Sequence, residues 1–437
     1  MKNFLISLTK VKFVRDIATM QVGQVVTTGA GFLSSILFAR FLGLGGYGTY
    51  AIVLAFTGLL GFITNFGQQA TALTFFSKAY GEKDSTRIKE ILHYYFVVSV
   101  CSALFLLALM YFLPAITERM YDSAEIGKLA RIIFASSIID PLFVFGSIIL
   151  QSVREIRKLT ILENSRIVIQ LGLSILFLIN GMGVKGVLLG SLFGTAIMSL
   201  VSILTYNKIR PTYNLPSFSE ILCVKSYKHV WRLVVDGIWI TIDKNTKNLY
   251  PNIFVAILGM YAQESVVGLF RLAFKLGNLP TSFVLTNIGK LATSVIPTLI
   301  GKGVAIRSSL LRLTVYSCSI HIGATIGALL IVPPLIPIVY GGAFDVAIYP
   351  LIIIAVLHTS NVIHALITPI LRMYSRMHYA IGFNVIATIS SLGLFYILMG
   401  RIRITFALYI ALSVFHVISI LVVIPALSLI KNKIPQQ

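Results

Sequence analysis

Twelve long apolar segments constrain this chain more than any other feature of its sequence. A helix that crosses a membrane needs about 20 mostly apolar residues, and segments of that length recur along the 437-residue chain. They lie near residues 18–41, 49–76, 91–113, 129–151, 164–181, 187–206, 230–257, 266–296, 310–331, 346–369, 380–398 and 404–427. Only 12% of the residues are charged, against roughly 25% in soluble globular proteins. The sequence therefore predicts an all-α integral membrane protein with twelve transmembrane helices.

The positively charged residues of the chain are distributed as expected for signals of membrane topology. Lys and Arg number 36 against 15 Asp and Glu, a net charge of +21. Most of these cations fall in the loops on one side of the predicted helices, together with both termini. The positive-inside rule then places both termini in the cytoplasm and explains the charge without a nucleic-acid partner. Arg401 and Arg403 fall on the opposite side and leave the last hairpin less securely placed.

The two halves of the chain resemble each other at an offset of 220 residues. This offset aligns the sixth predicted helix with the twelfth and matches identical residues without a gap. Examples are Gly48 with Gly268, Gly81 with Gly301, Arg87 with Arg307 and Pro114 with Pro334. Six helices per half give both halves the same orientation, as in transporters built from parallel repeats. We predict two parallel six-helix bundles, residues 1–215 and 216–437, around a central cavity.

Charged residues interrupt the seventh and eighth apolar segments. In the eighth, polar residues recur at helical spacing and form one stripe: Arg271, Lys275, Asn278, Ser282, Thr286 and Lys290. Each ionised side chain near the centre of a membrane costs roughly 2.5–3.5 kcal/mol, so the stripe is expected to face a wet cavity. The 220-residue offset places Ala51 and Ala55 opposite Arg271 and Lys275, so the two cations are additions to one copy. We therefore predict a substrate-binding stripe.

The seventh segment carries charge of both signs. Asp243 and Lys247 are spaced to pair within a helix, and Asp236 precedes them by two turns. These three residues either neutralise one another or contribute to ion coupling. On the first predicted helix, Gln24 belongs to a polar stripe that either lines the cavity or packs against another helix.

Other chemistry-bearing residues are scattered. Asp140 and Arg166 are lone charges in separate segments and are expected to be structural. No metal site is expected, because the histidines lie far apart and lack ligand spacing. They include His321, His358, His364 and His416.

Several motifs resemble a known family. Residues Phe38–Tyr50 read FARFLGLGGYGTY, which resembles the signature of bacterial polysaccharide flippases of the Wzx type. These belong to the multidrug/oligosaccharidyl-lipid/polysaccharide (MOP) exporter superfamily. Further resemblances follow in the family's order at Asn65–Ala72, Gln151–Lys158, Asn180–Gly190, Val267–Ala273 and Tyr340–Phe344.

The resemblance implies a transporter rather than an enzyme. Its substrate would be an undecaprenyl-pyrophosphate-linked oligosaccharide, moved by alternating access across the bacterial inner membrane for O-antigen or capsule assembly. Partners would include membrane lipid, a polysaccharide polymerase and a chain-length regulator, and an H⁺ or Na⁺ gradient would replace any cofactor. Two alternatives stay open: a multidrug or cation antiporter of the same superfamily, and a membrane glycan polymerase or ligase.

Overall fold

A computed structural model describes residues 12–64, 68–224, 233, 252–282, 306–373 and 376–425. Every regular element in these ranges is a helix. The chain divides into two compact units, residues 1–242 and 243–437. The predicted division at residues 215 and 216 precedes this boundary and stays a prediction.

The first unit begins with a helical stretch, Lys12–Thr64, that is broken at one residue. Gly43 has a φ of 67° and a ψ of −176°, a conformation that glycine adopts without steric strain. We call residues 12–42 α1 and residues 44–64 α2. The remaining helices are α3 (Gln68–Gly81), α4 (Ser85–Tyr121), α5 (Ala124–Ser152), α6 (Ile156–Ile179), α7 (Gly183–Ile209) and the short α8 (Phe218–Leu222).

The described part of the second unit contains seven helices and one 3-10 turn. These are α9 (Asn252–Tyr261), α10 (Glu264–Gly277), α11 (Ile306–Tyr340), the turn Gly342–Ala347, α12 (Ile348–Leu357), α13 (Thr359–Met373), α14 (Met377–Met399) and α15 (Ile404–Ile420).

Nine helical stretches in the described part are long and apolar enough to cross a membrane. The first of them, Gln21–Gly61, has 41 residues and includes the break at Gly43. A helix of that length extends about 60 Å, twice the thickness of a bilayer core, so this stretch covers two predicted spans. The prediction of an all-α membrane fold is confirmed, whereas the count of twelve spans stays a prediction.

The structure differs from the predicted segments in two places. The segment 346–369 breaks at His358. The helix predicted over 266–296 is interrupted at Asn278 and is helical again over 279–282, and the residues that follow lie outside the described ranges. Pro280 explains this interruption, because it has no backbone N–H to continue the helical hydrogen bonds.

Helix boundaries reproduce the internal repeat in the sequence. Three helices of the second unit begin 220 or 221 residues after their counterparts in the first. The paired starts are residues 44 and 264, Ile156 and Met377, and Gly183 and Ile404. The long helix α5 corresponds to the turn Gly342–Ala347, α12 and α13 together. Each unit thus follows one helical plan, with an extra break in the second copy.

Helices α6 and α7 approach closely because their facing residues are small. A Cβ added at Gly190 would lie 2.3 Å from the backbone nitrogen of Ser174 and 2.5 Å from its Cα. The Ser174 hydroxyl then donates a hydrogen bond to the carbonyl of Val187, at 3.0 Å. Small residues of this kind hold membrane helices together by close backbone contact.

Gly190→Ala is therefore expected to destabilise the first unit by about 1–3 kcal/mol, because the opposing atoms belong to backbone and cannot rotate away. Thermal unfolding in detergent measures the effect. Gly172→Ala is the matched control, since the position is on α6 and has open space within 4 Å. The control should be neutral or stabilised by up to about 1 kcal/mol; equal melting temperatures for the two variants would contradict the packing argument.

Candidate functional site

Two polar sites occur in the described residues, one in each unit. The site in the second unit lies on α10. Arg271 and Lys275 are one turn apart and partly exposed, whereas Leu272 and Leu276 on the opposite side are buried. Like charges at this spacing repel each other by a few tenths of a kcal/mol. The pair therefore costs stability in the absence of an anion, which is typical of a binding site.

The polar stripe continues beyond the end of α10. Asn278 occupies the C-cap position, and its Nδ2 donates to the hydroxyl of Ser282 at 3.1 Å. Both side chains are exposed. The structure thus aligns four of the predicted substrate-binding residues on the more exposed side of this segment. Thr286 and Lys290, the other two members of the stripe, lie outside the described residues.

The buried face of α10 fixes the helix within its unit. The ring of Phe270 stacks on Tyr409 of α15, with centroids 5.9 Å apart. Phe274 packs near the ring of His358, at the end of α12, with centroids 6.2 Å apart. Because aromatic contacts hold this face, the cations on the other face keep a defined position.

The other predicted site residues are not brought to this stripe by the described structure. Asp236, Asp243 and Lys247 lie outside the described residues. Gln24 is on α1 in the first unit, is exposed, and donates from Nε2 to Thr28 Oγ1 at 3.3 Å. Its role in substrate binding stays a prediction.

The first unit contains a cavity that the sequence analysis missed. Its volume is about 290 Å³, and it lies among α1, α2, α5, α6 and α7. Asp140 and Arg166, expected to be separate structural charges, meet here. Oδ1 of Asp140 is 2.5 Å from Nη2 of Arg166, although not in hydrogen-bonding alignment, so the contact is an ion pair. The Arg166 guanidinium also lies 4.4 Å from the ring centroid of Phe143.

Neutral polar side chains extend this cavity along α6 and α7. The amide of Gln170 donates to Thr195 Oγ1 at 2.9 Å, and the hydroxyl of Ser136 donates to the same oxygen at 3.0 Å. Gln170 and Ser136 line the cavity with Ser137 and Ser191. The cavity thus offers hydroxyl and amide groups around one neutralised ion pair, a surface suited to polar ligands or water.

One signal in the sequence could have identified the ion pair. Asp140 lies twelve residues before the end of α5, and Arg166 lies ten residues after the start of α6. The two helices are joined by a short loop and run in opposite directions. Charges at similar distances from such a loop reach similar depths in the membrane.

The link after α7 is held by exposed polar contacts. Ser217 and Glu220 form a capping box at the start of α8, and Lys89 on α4 lies 2.6 Å from the Glu220 carboxylate. The hydrogen bond from Lys89, with those from Ser217, lowers the pKa of Glu220 to about 2. This carboxylate therefore stays charged throughout the physiological pH range.

Solved structures with the same fold define the class of protein. An inward-facing multidrug resistance MATE transporter of the MOP superfamily matches with a TM-score of 0.76 and 15% identity, over 96% of this chain and 99% of that one. The lipid II flippase MurJ in an inward closed conformation matches with a TM-score of 0.70 and 16% identity, over 93% and 87%. A MOP superfamily transporter from Pyrococcus furiosus, described by the reverse polarity of its binding pocket, gives 0.66 and 14%, over 95% and 96%. The chain thus has the MOP transporter fold.

The sequence identifies the family within that fold. The polysaccharide biosynthesis protein family matches residues 13–301, about two thirds of the chain. The chain belongs to this family, which confirms the resemblance found in the sequence. A comparison with curated proteins finds no match.

Proposed function

We propose that this protein is a flippase for undecaprenyl-pyrophosphate-linked oligosaccharides. It moves the repeat unit from the cytoplasmic to the periplasmic leaflet of the bacterial inner membrane by alternating access. The product then serves O-antigen or capsule assembly, with a polysaccharide polymerase and a chain-length regulator as partners. Both termini lie in the cytoplasm, and an H⁺ or Na⁺ gradient drives the cycle.

The observation that carries this proposal is the cationic stripe on α10 in a chain of the polysaccharide biosynthesis family. A lipid-linked pyrophosphate carries about two negative charges and cannot cross hydrocarbon without compensation. Arg271 supplies a planar guanidinium that binds phosphate oxygens in pairs, and Lys275 supplies a point charge one turn away. Asn278 and Ser282 add neutral hydrogen-bonding groups suited to sugar hydroxyls.

The charge distribution favours this function over a drug or cation antiporter. Such an antiporter needs acidic side chains that are free to bind a cation. The carboxylate in the first-unit cavity, Asp140, is already neutralised by Arg166. Residues 243–437 contain only three acidic residues, Asp243, Glu264 and Asp345. The glycan polymerase alternative receives no support from the described helices, because none of them carries an extended external domain.

Reconstitution into liposomes tests the proposal. Fluorescent undecaprenyl-pyrophosphate glycan is placed in both leaflets, and a membrane-impermeant reductant quenches only the outer label. The expected result is loss of the protected inner half in protein-containing vesicles, with half the signal surviving in empty ones. Ethidium uptake in the same vesicles tests the antiporter. Ethidium transport without lipid movement would reject the flippase.

Deletion of the gene gives the corresponding test in cells. We expect lipid-linked repeat units to accumulate on the cytoplasmic face while surface glycan disappears. Altered drug resistance with normal surface glycan would instead identify the antiporter.

A further inference from the structure

Four buried histidines converge in the second unit, although they are far apart in the sequence. His321 is on α11, His358 separates α12 from α13, His364 is on α13 and His416 is on α15. Each is at most 7% exposed. We call these four residues the histidine cluster. Sequence spacing gave no sign of it, because three helices and a helix break bring the side chains together.

One ring contact joins two members of the cluster directly, and the other two interact with them electrostatically. The rings of His358 and His416 have centroids 5.6 Å apart. His416 Nδ1 is 2.6 Å from the hydroxyl of Ser360, and His364 Nε2 donates to the carbonyl of Ser419 at 2.9 Å. His321 also interacts electrostatically with His358, and His364 with His416.

The cluster contains polar atoms with unused hydrogen-bonding capacity. Nδ1 of His358 and the hydroxyl oxygen of Ser419 are both buried and have no hydrogen-bond partner among the residues that the structure describes. Buried polar atoms of this kind are rare, because burial without a partner is costly. An unpartnered imidazole nitrogen is a base, and its lone pair can accept a proton.

The repeat shows that the fold does not need these histidines. At the 220-residue offset, the first unit has Cys101, Ile138, Val144 and Ala196 in their places. Helix α5 runs without interruption through Ile138, whereas the corresponding helix in the second unit breaks at His358. The histidine cluster and the helix break at His358 therefore occur in only one copy of the repeat, as do Arg271 and Lys275 on α10.

Among the described residues of this region, the histidines are the candidate proton acceptors. The elements packed around the cluster carry Arg271 and Lys275 on α10, Tyr316 and Cys318 on α11, and Tyr409 on α15. Of the acidic residues in the second unit, Glu264 and Asp345 are exposed at element ends, and Asp243 lies outside the described residues. Imidazole is also the side chain that changes charge near neutral pH, and ionisable groups within membrane segments commonly form proton pathways.

Direct contacts join the cluster to α10. Phe274 packs on His358, the backbone of Gly277 interacts with the same ring, and the hydroxyl of Thr281, just beyond α10, is 2.9 Å from His321 Nε2. Phe274 and Gly277 lie on either side of Lys275 in the sequence. A change at the cluster therefore acts on the helix that carries the cationic stripe.

We propose that the histidine cluster is a proton-binding site that controls the packing of α10 in the second unit. A proton from water adds to the lone pair of His358 Nδ1, forms one N–H bond and leaves again to water, so the site gains and loses one positive charge per cycle. That charge is unfavourable among buried apolar residues and beside a second imidazole ring. Protonation therefore favours a hydrated state with looser packing, and acid shifts the population toward it. Its role in driving transport rests on the proposed flippase function.

Amide hydrogen exchange of the full-length protein in lipid nanodiscs tests the proton-binding site, with pH as the only variable. Between pH 8 and pH 5.5, after correction for the intrinsic exchange rate, amides in 349–364 and 404–420 should exchange at least about fivefold faster. His358→Asn and His416→Gln should abolish the increase. His93→Asn is the matched control, because His93 is buried in the first unit and bonded to the carbonyl of Ile221 at 2.9 Å; it should retain the full response.

Each outcome decides the proposal. No acceleration in the wild-type protein would overturn it before any variant is made. An unchanged response in a folded His358→Asn or His416→Gln protein would overturn it as well, so one folded variant suffices. Lipid movement in liposomes is measured separately. A flippase with no exchange response would reject the proton site alone, whereas an exchange response without lipid movement would reject the flippase alone.

Discussion

Replacing Arg271 and Lys275 together by alanine is expected to reduce the movement of lipid-linked pyrophosphate glycan by at least about 100-fold. Each charge-assisted contact with phosphate contributes about 1.5–3 kcal/mol, so loss of both removes roughly 3–6 kcal/mol of binding. The helix itself should still fold, because the sister positions Ala51 and Ala55 are buried alanines in α2. The protected-leaflet assay in liposomes measures the rate, and surface glycan measures it in cells.

Two further variants separate binding from general charge. Lys185→Ala with Arg401→Ala also removes two cations, both exposed and outside the stripe, and should leave the rate unchanged. Arg271→Lys with Lys275→Arg retains both positive charges and should keep part of the activity. The guanidinium group, which can bind two phosphate oxygens, is then at position 275 instead of 271. Normal transport by the double-alanine protein would reject the stripe as the pyrophosphate site. An equal loss of transport in the Lys185→Ala, Arg401→Ala control would show that the effect depends on net charge alone.

The features that could be predicted from the sequence depend on local pattern. Apolar segments of about 20 residues predicted a helical membrane protein, and the 220-residue offset indicated a repeat that helix starts such as Ile156 and Met377 follow to within one residue. The polar stripe of α10 was also predictable, because residues three and four apart share a helix face whatever surrounds them. The sequence predicted this helix as one segment, whereas the structure interrupts it at Asn278, two residues before Pro280.

The features that could not be predicted depend on contacts between distant helices. The break at His358 has no proline or glycine beside it, and is followed by the polar residues Thr359, Ser360 and Asn361. The histidine cluster joins residues as far apart as His321 and His416, and nothing in the spacing of single histidines indicates such convergence. The pairing of Asp140 with Arg166 likewise required the packing of α5 against α6. Each residue was treated as structural because its partner was not recognised.

That ion pair leads to the second large expected effect. Arg166→Met is expected to destabilise the first unit by about 2–4 kcal/mol, because it leaves the Asp140 carboxylate uncompensated in a partly enclosed cavity. The lower part of the usual range applies, since the two side chains remain 23% and 33% exposed. In thermal unfolding followed by circular dichroism, such a loss corresponds to a fall of about 5–10 °C in melting temperature.

A double-mutant cycle assigns the loss to the ion pair rather than to packing. Asp140→Asn with Arg166→Met removes both charges and should be clearly more stable than Arg166→Met alone, because no unpaired charge remains. Lys78→Met is the surface control: Lys78 lies 3.9 Å from Glu82 with 61% of its side chain exposed, so its removal should change stability by less than about 0.5 kcal/mol. If the double variant is as unstable as the sum of its single variants, Asp140 and Arg166 act independently. The first-unit cavity would then carry a free carboxylate, and the charge argument against a cation antiporter would fail with it.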